Sequence, residues 1–478
     1  MKLAKLIEID EEKCVNCHRC ISACPTKFPN IGTADDVIHL NDDLCIGCGE
    51  CIKACTHNAR IAKDDFIEAM NAIRNKEKII AIVAPAVSSN FPERFLKFNG
   101  WLKSLGVEAI FDVSLGAELT IKSYINHIKK NKPKAVIAQP CPAIVSYIEI
   151  YQPELIEYLA PADSPMLHIM KMIKEFYPKY KNHKMLVVSP CTAKKREFEE
   201  TGIGDFNVTI ASFISFIEEE RINIDHFPEV DFDNDPAERA VVFSTPGGLL
   251  ETAEREIPGI RMSSRKIEGP HQIYDYLKKL PEMIENGMNP LLIDCLNCEM
   301  GCNGGTGTNS QEKSPDELEY YVNIRKKKLI ESYQNNKRKG NHKISDVINK
   351  YWKENLYNRT YLDLSENYYE NIKEPDEKTK NDIFRSMDKQ DDADIKNCAS
   401  CGYNSCEIMA TAIYNGINKK ENCHFHVLAD IGHLQKDLEL KITDLTDSRQ
   451  VLQDQKKEII KRTEQFINII GKLKELTN

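Results

Sequence analysis

Two stretches decide the fold. Ala135-Val136-Ile137-Ala138-Gln139-Pro140-Cys141-Pro142 and Met185-Leu186-Val187-Val188-Ser189-Pro190-Cys191 share one design, an apolar run of buried-strand length that stops at a proline turn carrying a cysteine. Ile79-Ile80-Ala81-Ile82-Val83 runs into Ala84-Pro85-Ala86 in the same way. Helical patterns lie between these runs, so an α/β domain with parallel sheets and crossover helices is predicted. In such sheets ligands sit beyond the carboxyl ends of strands, where Cys141 and Cys191 stand.

Outward from these turns, seventeen cysteines fall into three blocks. Cys14, Cys17, Cys20 and Cys24, then Cys45, Cys48, Cys51 and Cys55, form two C-x2-C-x2-C-x3-C runs, the bacterial ferredoxin spacing. In that spacing three thiolates wrap one cube and the fourth reaches the other. Cys14, Cys17, Cys20 and Cys55 are therefore assigned to one 4Fe–4S cluster, and Cys45, Cys48, Cys51 and Cys24 to a second. Pro25 follows the first run as the pattern asks, whereas Thr56 follows the second. A zinc site is the competing reading, but zinc usually takes its ligands in pairs. The middle block holds Cys141, Cys191, Cys295, Cys298 and Cys302. The last holds Cys398, Cys401, Cys406 and Cys423, which fits a small 4Fe–4S domain, with a zinc knuckle as its rival.

Length, charge and composition bound the rest. The 478 residues suggest about three domains, and 41% hydrophobic residues suffice for a large core. Lysine and arginine number 64 against 73 acidic residues, a formal charge of −9, which argues against nucleic acid as the main partner. No run approaches the ~20 apolar residues of a membrane span, and acidic residues follow Met1-Lys2-Leu3-Ala4-Lys5 before any signal-peptide core. A cytoplasmic protein with no membrane partner is expected, and reduced, clustered thiols there mean metal rather than disulfides. The domain reading is a ferredoxin-like α+β module with two 4Fe–4S clusters at 1–62, a two-lobed α/β domain at 63–370, a solvated linker at 371–395, a small helical 4Fe–4S domain at 396–432, and a long helix at 433–478. In that helix Leu438, Leu445, Leu452, Ile459, Phe466 and Leu473 recur every seven residues. Its companion positions are polar at Arg449, Lys456 and Thr463. The pattern fits a partner-dependent coiled coil and a helix lying back on the domain equally well.

Cys141, Cys191, Cys298 and Cys302, on three separate loops, suit a further cluster buried in the α/β core. Gly304, Gly305 and Gly307 let backbone come close to something bulky there. Lys194 and Lys195 offer donors to an anionic group, although lysines at a helix start are more often solvated.

At these residues the chain resembles the FeFe-hydrogenases, in the sensory branch. The resemblance rests on Gln139-Pro140-Cys141-Pro142, on Pro190-Cys191-Thr192-Ala193-Lys194-Lys195-x-Glu197, and on Cys298-x3-Cys302-Asn303-Gly304-Gly305. Ala84-Pro85-Ala86, Gly116-Ala117-Glu118-Leu119-Thr120, Ser164-Pro165 and Thr245-Pro246-Gly247-Gly248 match more weakly. The resemblance implies that Cys141, Cys191, Cys298 and Cys302 hold the 4Fe–4S part of an H-cluster. Cys302 would bridge to a diiron unit with CO, cyanide and a bridging dithiolate amine. Ala84, Pro85, Gln139, Pro142, Ser189, Thr192, Ala193, Gly304 and Gly305 would line that cofactor, and Lys194 would hydrogen-bond a cyanide. H2 and protons are the implied substrates, a ferredoxin the redox partner, and the two N-terminal clusters and the C-terminal one the three accessory 4Fe–4S clusters.

The departures from the family set the functional expectation. Productive members carry a proton-relaying cysteine where this chain has Pro140. Tyr124 and His127 stand in a stretch with no acidic residue between Glu118 and Glu149, and Ser189 and Leu296 replace methionines. A placed proton donor is worth ~10²–10⁴ in rate, so slow turnover is expected. Cys295 is the one cysteine without a ligand role, an alternative proton group or a buried free thiol. The reading is an H2-reactive protein of low turnover that signals H2 or redox state to a protein partner in trans, or as a homodimer through its terminal helix. The rivals are a catalytic ferredoxin-linked hydrogenase and a non-catalytic iron–sulfur carrier or assembly protein.

Overall fold

The computed structural model describes residues 2–33, 36–310, 312–338 and 343–476. The chain forms two compact units, Met1–Glu374 with Gly402–Asn404, and Pro375–Cys401 with Ser405–Asn478.

The first unit opens with a small α+β layer. Strands β1 (Ile7–Ile9), β2 (Asn30–Ile31), β3 (His39–Leu40) and β4 (Arg60–Ala62) pair antiparallel as β1–β4 and β2–β3. Short helices at Arg19–Ala23 and Glu50–Lys53 carry the third cysteine of each run.

Two parallel sheets follow. The larger runs β6 (Ala109–Asp112), β5 (Ile79–Val83), β8 (Lys184–Ser189) and β9 (Phe206–Thr209). Both faces of β5 are covered, as its unbroken apolar run requires. Ile79, Ala81 and Val83 pack with Phe98, Trp101 and Phe213, while Ile80 and Ile82 pack with Leu115, Leu119 and Met170 on the other side. The smaller sheet runs β10 (Ser264–Glu268), β11 (Leu292–Leu296) and β7 (Val136–Ile137). Its period-2 alternation places Ile137, Ile293 and Cys295 in one core and Val136, Ala138 and Leu292 in another. The mixed α/β class with parallel sheets agrees with the sequence reading.

Each strand end feeds a helix whose start is set by local chemistry. Asp112 caps helix Val113–Asn131 by accepting from the Ser114 backbone N–H at 2.9 Å. The same carboxylate takes Arg325 at 2.5 Å, fastening helix Pro315–Arg338 to this corner. Pro142 opens helix Pro142–Tyr151, where a missing N–H costs nothing, and leaves Cys141 at the cap position.

Asp294 on β11 gives a pH test of the core. Burial pushes its carboxyl up to about 7 against a single backbone hydrogen bond. A carboxyl raised in the folded state supports folding fully below its unfolded pKa and loses that support as pH climbs through the folded one. Asp294→Asn should therefore leave stability near pH 4 almost unchanged and gain on the order of 4 kcal/mol by pH 8. Thermal midpoints at both pH values check this; equal shifts at both would contradict it.

The second unit is helical. Glu377–Ser386 forms a helix that buries Phe384, with Met387 buried just beyond its end. The segment read as a solvated linker is thus an ordered element, because these two apolar side chains find cover. Helices Cys406–Tyr414 and His424–Leu476 follow. The last starts nine residues before the expected 433. Its heptad row is exposed at Leu438, Leu445, Leu452, Ile459 and Phe466, so among the described residues the helix does not lie back on the domain along this row. Among the described residues no helix is long and apolar enough to cross a membrane.

Candidate iron–sulfur centre

The ends of β5, β7, β8 and β11 converge on one apolar cavity of about 90 Å³, with Cys141, Cys191, Cys298 and Cys302 in its walls. Cys141 and Cys191 sit in strand-to-helix turns, ahead of helices Pro142–Tyr151 and Lys194–Thr201. Cys298 follows β11 directly, and Cys302 lies in the tight turn Gly301–Gly304. Ala84, Pro85, Pro140, Pro142, Ser189, Lys194 and Gly305 line the cavity, joined by Met166, Phe243 and Asn297.

The donor set fits a cube better than a single ion. Among the described residues no three of the chain's thiols come within 4.8 Å of one another. Thiolates on one tetrahedral zinc at ~2.3 Å would sit ~3.8 Å apart. Burial pushes the Cys191 thiol up to about 12, helped by Cys141 and Cys298 and opposed by Lys194. Burial likewise lifts Cys298 to about 11, with Lys53 opposing, and raises Cys302 well above its ordinary value. Thiols pushed up in this way by burial and by one another become thiolates only against metal charge.

Lys194 is no solvated lysine. It is buried, donates to the Pro140 carbonyl at 3.2 Å and pairs with Glu197 at 2.6 Å. Glu197 also accepts from Ser164 at 2.9 Å and from Arg359 at 2.7 Å, and Arg359 reaches on to Glu200 at 2.6 Å. Burial opposes ionisation of Glu197, but Lys194 and Arg359 outweigh it and hold the carboxyl below its ordinary value. Sequence reasoning misses Arg359, which lies 162 residues from its partner. Lys195 turns away and pairs with Asp65 at 2.5 Å.

Other expected contacts fall elsewhere. Gln139 is buried, accepting from the Tyr124 hydroxyl at 2.5 Å and donating to Asp163 O at 2.8 Å, so it braces the turn and stays out of the cavity wall. Thr192, Ala193 and Gly304 are also outside the wall. A Cβ at Gly305 would lie 2.5 Å from Pro190 O, and one at Gly307 2.9 Å from Cys191 N. These glycines therefore let the Cys302 turn close on the Cys191 turn, and the bulky neighbour is protein backbone. Cys295 is buried in the β11 core with its thiol on Ala138 O at 3.4 Å, away from the cavity.

The ferredoxin-like layer adjoins this site. Cys24, Cys45, Cys48 and Cys51 line one small pocket, the crossed set that the spacing assigns together. Cys20 feels the Cys14 and Cys17 thiols, and Cys55 accepts from Ala59 N–H at 3.3 Å. Arg196 donates to Asp42 O at 2.8 Å and to Cys45 O, while Tyr151 donates to Leu44 O at 2.6 Å. Asn297 spans the gap. Its amide lies 3.4 Å from Cys48 O and 3.8 Å from Cys298 Sγ, and Tyr274 holds its oxygen at 2.6 Å. The two sulfur sets are thereby joined through one side chain.

All four cavity cysteines lie within a stretch that matches a known family model. Residues 77–306 match the family model for the C-terminal domain of the iron only hydrogenase large subunit. Residues 6–63 match a 4Fe-4S dicluster domain, and 396–425 an Fe-S cluster domain. Iron hydrogenase 1 of Clostridium pasteurianum is 31% identical over 294 residues, covering 53% of this chain and 51% of that protein. A cytosolic Fe-S cluster assembly factor of Yarrowia lipolytica is 26% identical over 150 residues, 27% of this chain and 30% of that one. An FeFe-hydrogenase structure from Chlamydomonas reinhardtii aligns with a TM-score of 0.49 at 17% identity, covering 63% of this chain and 100% of that one. The chain spans about half the length of the Clostridium relative.

Proposed function

We propose that this chain, a hydrogenase-like iron–sulfur protein whose residues 77–306 are homologous to the C-terminal domain of the large chain of iron-only hydrogenases, reacts with H2 slowly and reports H2 or redox state to a protein partner. Cys141, Cys191, Cys298 and Cys302 would hold an H-cluster, which when bound supplies the chemistry of heterolytic H2 cleavage and formation. Lys194 would offer a charged donor to an anionic group held in the cavity, and Glu197 with Arg359 fixes its position. The apolar walls exclude water, which strengthens that contact. Asn297 links the central sulfurs to the Cys48 set, the direct side for electron exchange.

One observation carries the low-turnover reading. Apart from its cysteines, the cavity wall contains a single ionisable side chain, Lys194, already paired with Glu197. At 140, beside Cys141, stands a proline with no side-chain proton and no N–H. Protons therefore lack a carrier at the turn nearest the expected reaction site. The exposed apolar row of helix His424–Leu476 supports docking of a partner helix or a second copy as the output. The test is the H2-evolution rate of the matured chain beside that of Pro140→Cys.

A second reading, an iron–sulfur carrier or assembly protein without a diiron unit, is favoured by the likeness to the Yarrowia assembly factor. It uses the same four cysteines and needs no proton carrier.

A further inference from the structure

The second unit contains a cluster that the iron–sulfur chemistry does not use. At the base of the terminal helix, His426 is 2% exposed. Its Nδ1 lies 2.7 Å from Asp388 Oδ2, just beyond helix Glu377–Ser386. A carboxylate only accepts, so Nδ1 carries a proton toward Asp388 and Nε2 is the nitrogen left for another partner. Nε2 is buried and makes no hydrogen bond. What it faces is a second acceptor, Asp430 Oδ2, at 3.5 Å. One donor atom from each of Asp388, His426 and Asp430 lies within 4.8 Å of the others, the one such gathering among the described residues.

Between Nε2 and the Asp430 carboxylate stands either a proton or a metal cation. A proton would draw them to about 2.7–3.2 Å. Two ligands on one ion at ~2.0–2.1 Å in a tetrahedron sit about 3.3–3.4 Å apart, closer to the observed spacing. His426 and Asp430 are four residues apart on one helix, so both reach a single point on its surface. Asp388 occupies the outer position that, in metal sites, fixes a ligating imidazole through its other nitrogen. Imidazole with carboxylate suits zinc and its first-row neighbours better than calcium or magnesium.

We propose that His426 Nε2 and Asp430, oriented by Asp388, form a site for a first-row divalent transition-metal ion that clasps the segment after helix Glu377–Ser386 to the base of the 53-residue terminal helix. The site is separate from the four cysteines of this unit and independent of whether the central cavity turns over H2.

The test uses the full chain with its cysteine sites loaded anaerobically with iron and sulfide. Titration calorimetry with ZnCl2, followed by dialysis and joint measurement of zinc and iron, should give one added zinc with iron unchanged. Asp430→Asn, at an exposed position whose replacement leaves folding intact by circular dichroism, should weaken zinc binding at least tenfold. Asp388→Asn should weaken it ~10–100-fold, and Asp444→Asn, further along the helix, should change nothing. No added zinc in the wild type, zinc taken up only as iron is lost, or equal affinity in Asp430→Asn overturns the proposal and leaves a protonated His426 between two carboxylates.

Discussion

Replacing Pro140 with cysteine raises H2 evolution by ~10²-fold or more, the scale at which a placed proton donor acts. The substitution puts a thiol on the cavity wall beside Cys141 and restores an N–H to the turn. It leaves intact the carbonyl of residue 140, which accepts from Lys194 at 3.2 Å, so Lys194 keeps its aim. The rate is read with excess chemical reductant on protein of equal iron content. Wild type evolving H2 as fast as Pro140→Cys would mean that protons arrive by a route not involving this turn, and low turnover would have to be abandoned.

Glu197→Ala carries the largest expected effect on the fold. The carboxylate is buried between Lys194 and Arg359, both themselves largely buried, and also accepts from Ser164. Its removal leaves two cations uncompensated, for which about 3–5 kcal/mol is typical of a broken buried pair. A lowered thermal midpoint should be accompanied by loss of the Lys194 donor's fixed position. Replacing Glu200, which contacts Arg359 alone among these cations, should cost less. A Glu197→Ala chain as stable as wild type would show that the cations find water or other partners, contrary to the geometry.

Features written in short stretches of sequence are legible, and those made by distant residues are not. The crossed sulfur set of Cys24 with Cys45, Cys48 and Cys51 is written in the spacing, and the four line one small pocket. The strand runs ending at Pro85, Pro140 and Pro190 read correctly because a fully apolar run needs two covered faces. Gly305 and Gly307 look from sequence like room for a cofactor, yet the atoms they admit belong to Pro190 and Cys191, more than a hundred residues earlier. Gln139 resembles a cofactor contact by position, but its side chain finds Tyr124 and the Asp163 carbonyl. Cys295 alternates to the core side of β11, a consequence of strand period that its closeness in sequence to Cys298 obscures. The 371–395 segment looks solvated from its charge, and only packing reveals that Phe384 and Met387 are covered.

In the proposed function, four sulfurs from three loops hold a cluster joined to a diiron unit. Infrared spectroscopy of the matured chain tests it most directly. The account predicts bands of iron-bound CO and cyanide that shift between H2 and oxidant and vanish in Cys302→Ser, while the N-terminal clusters keep their iron. A fully iron-loaded chain with no such bands would contradict it and favour the carrier reading.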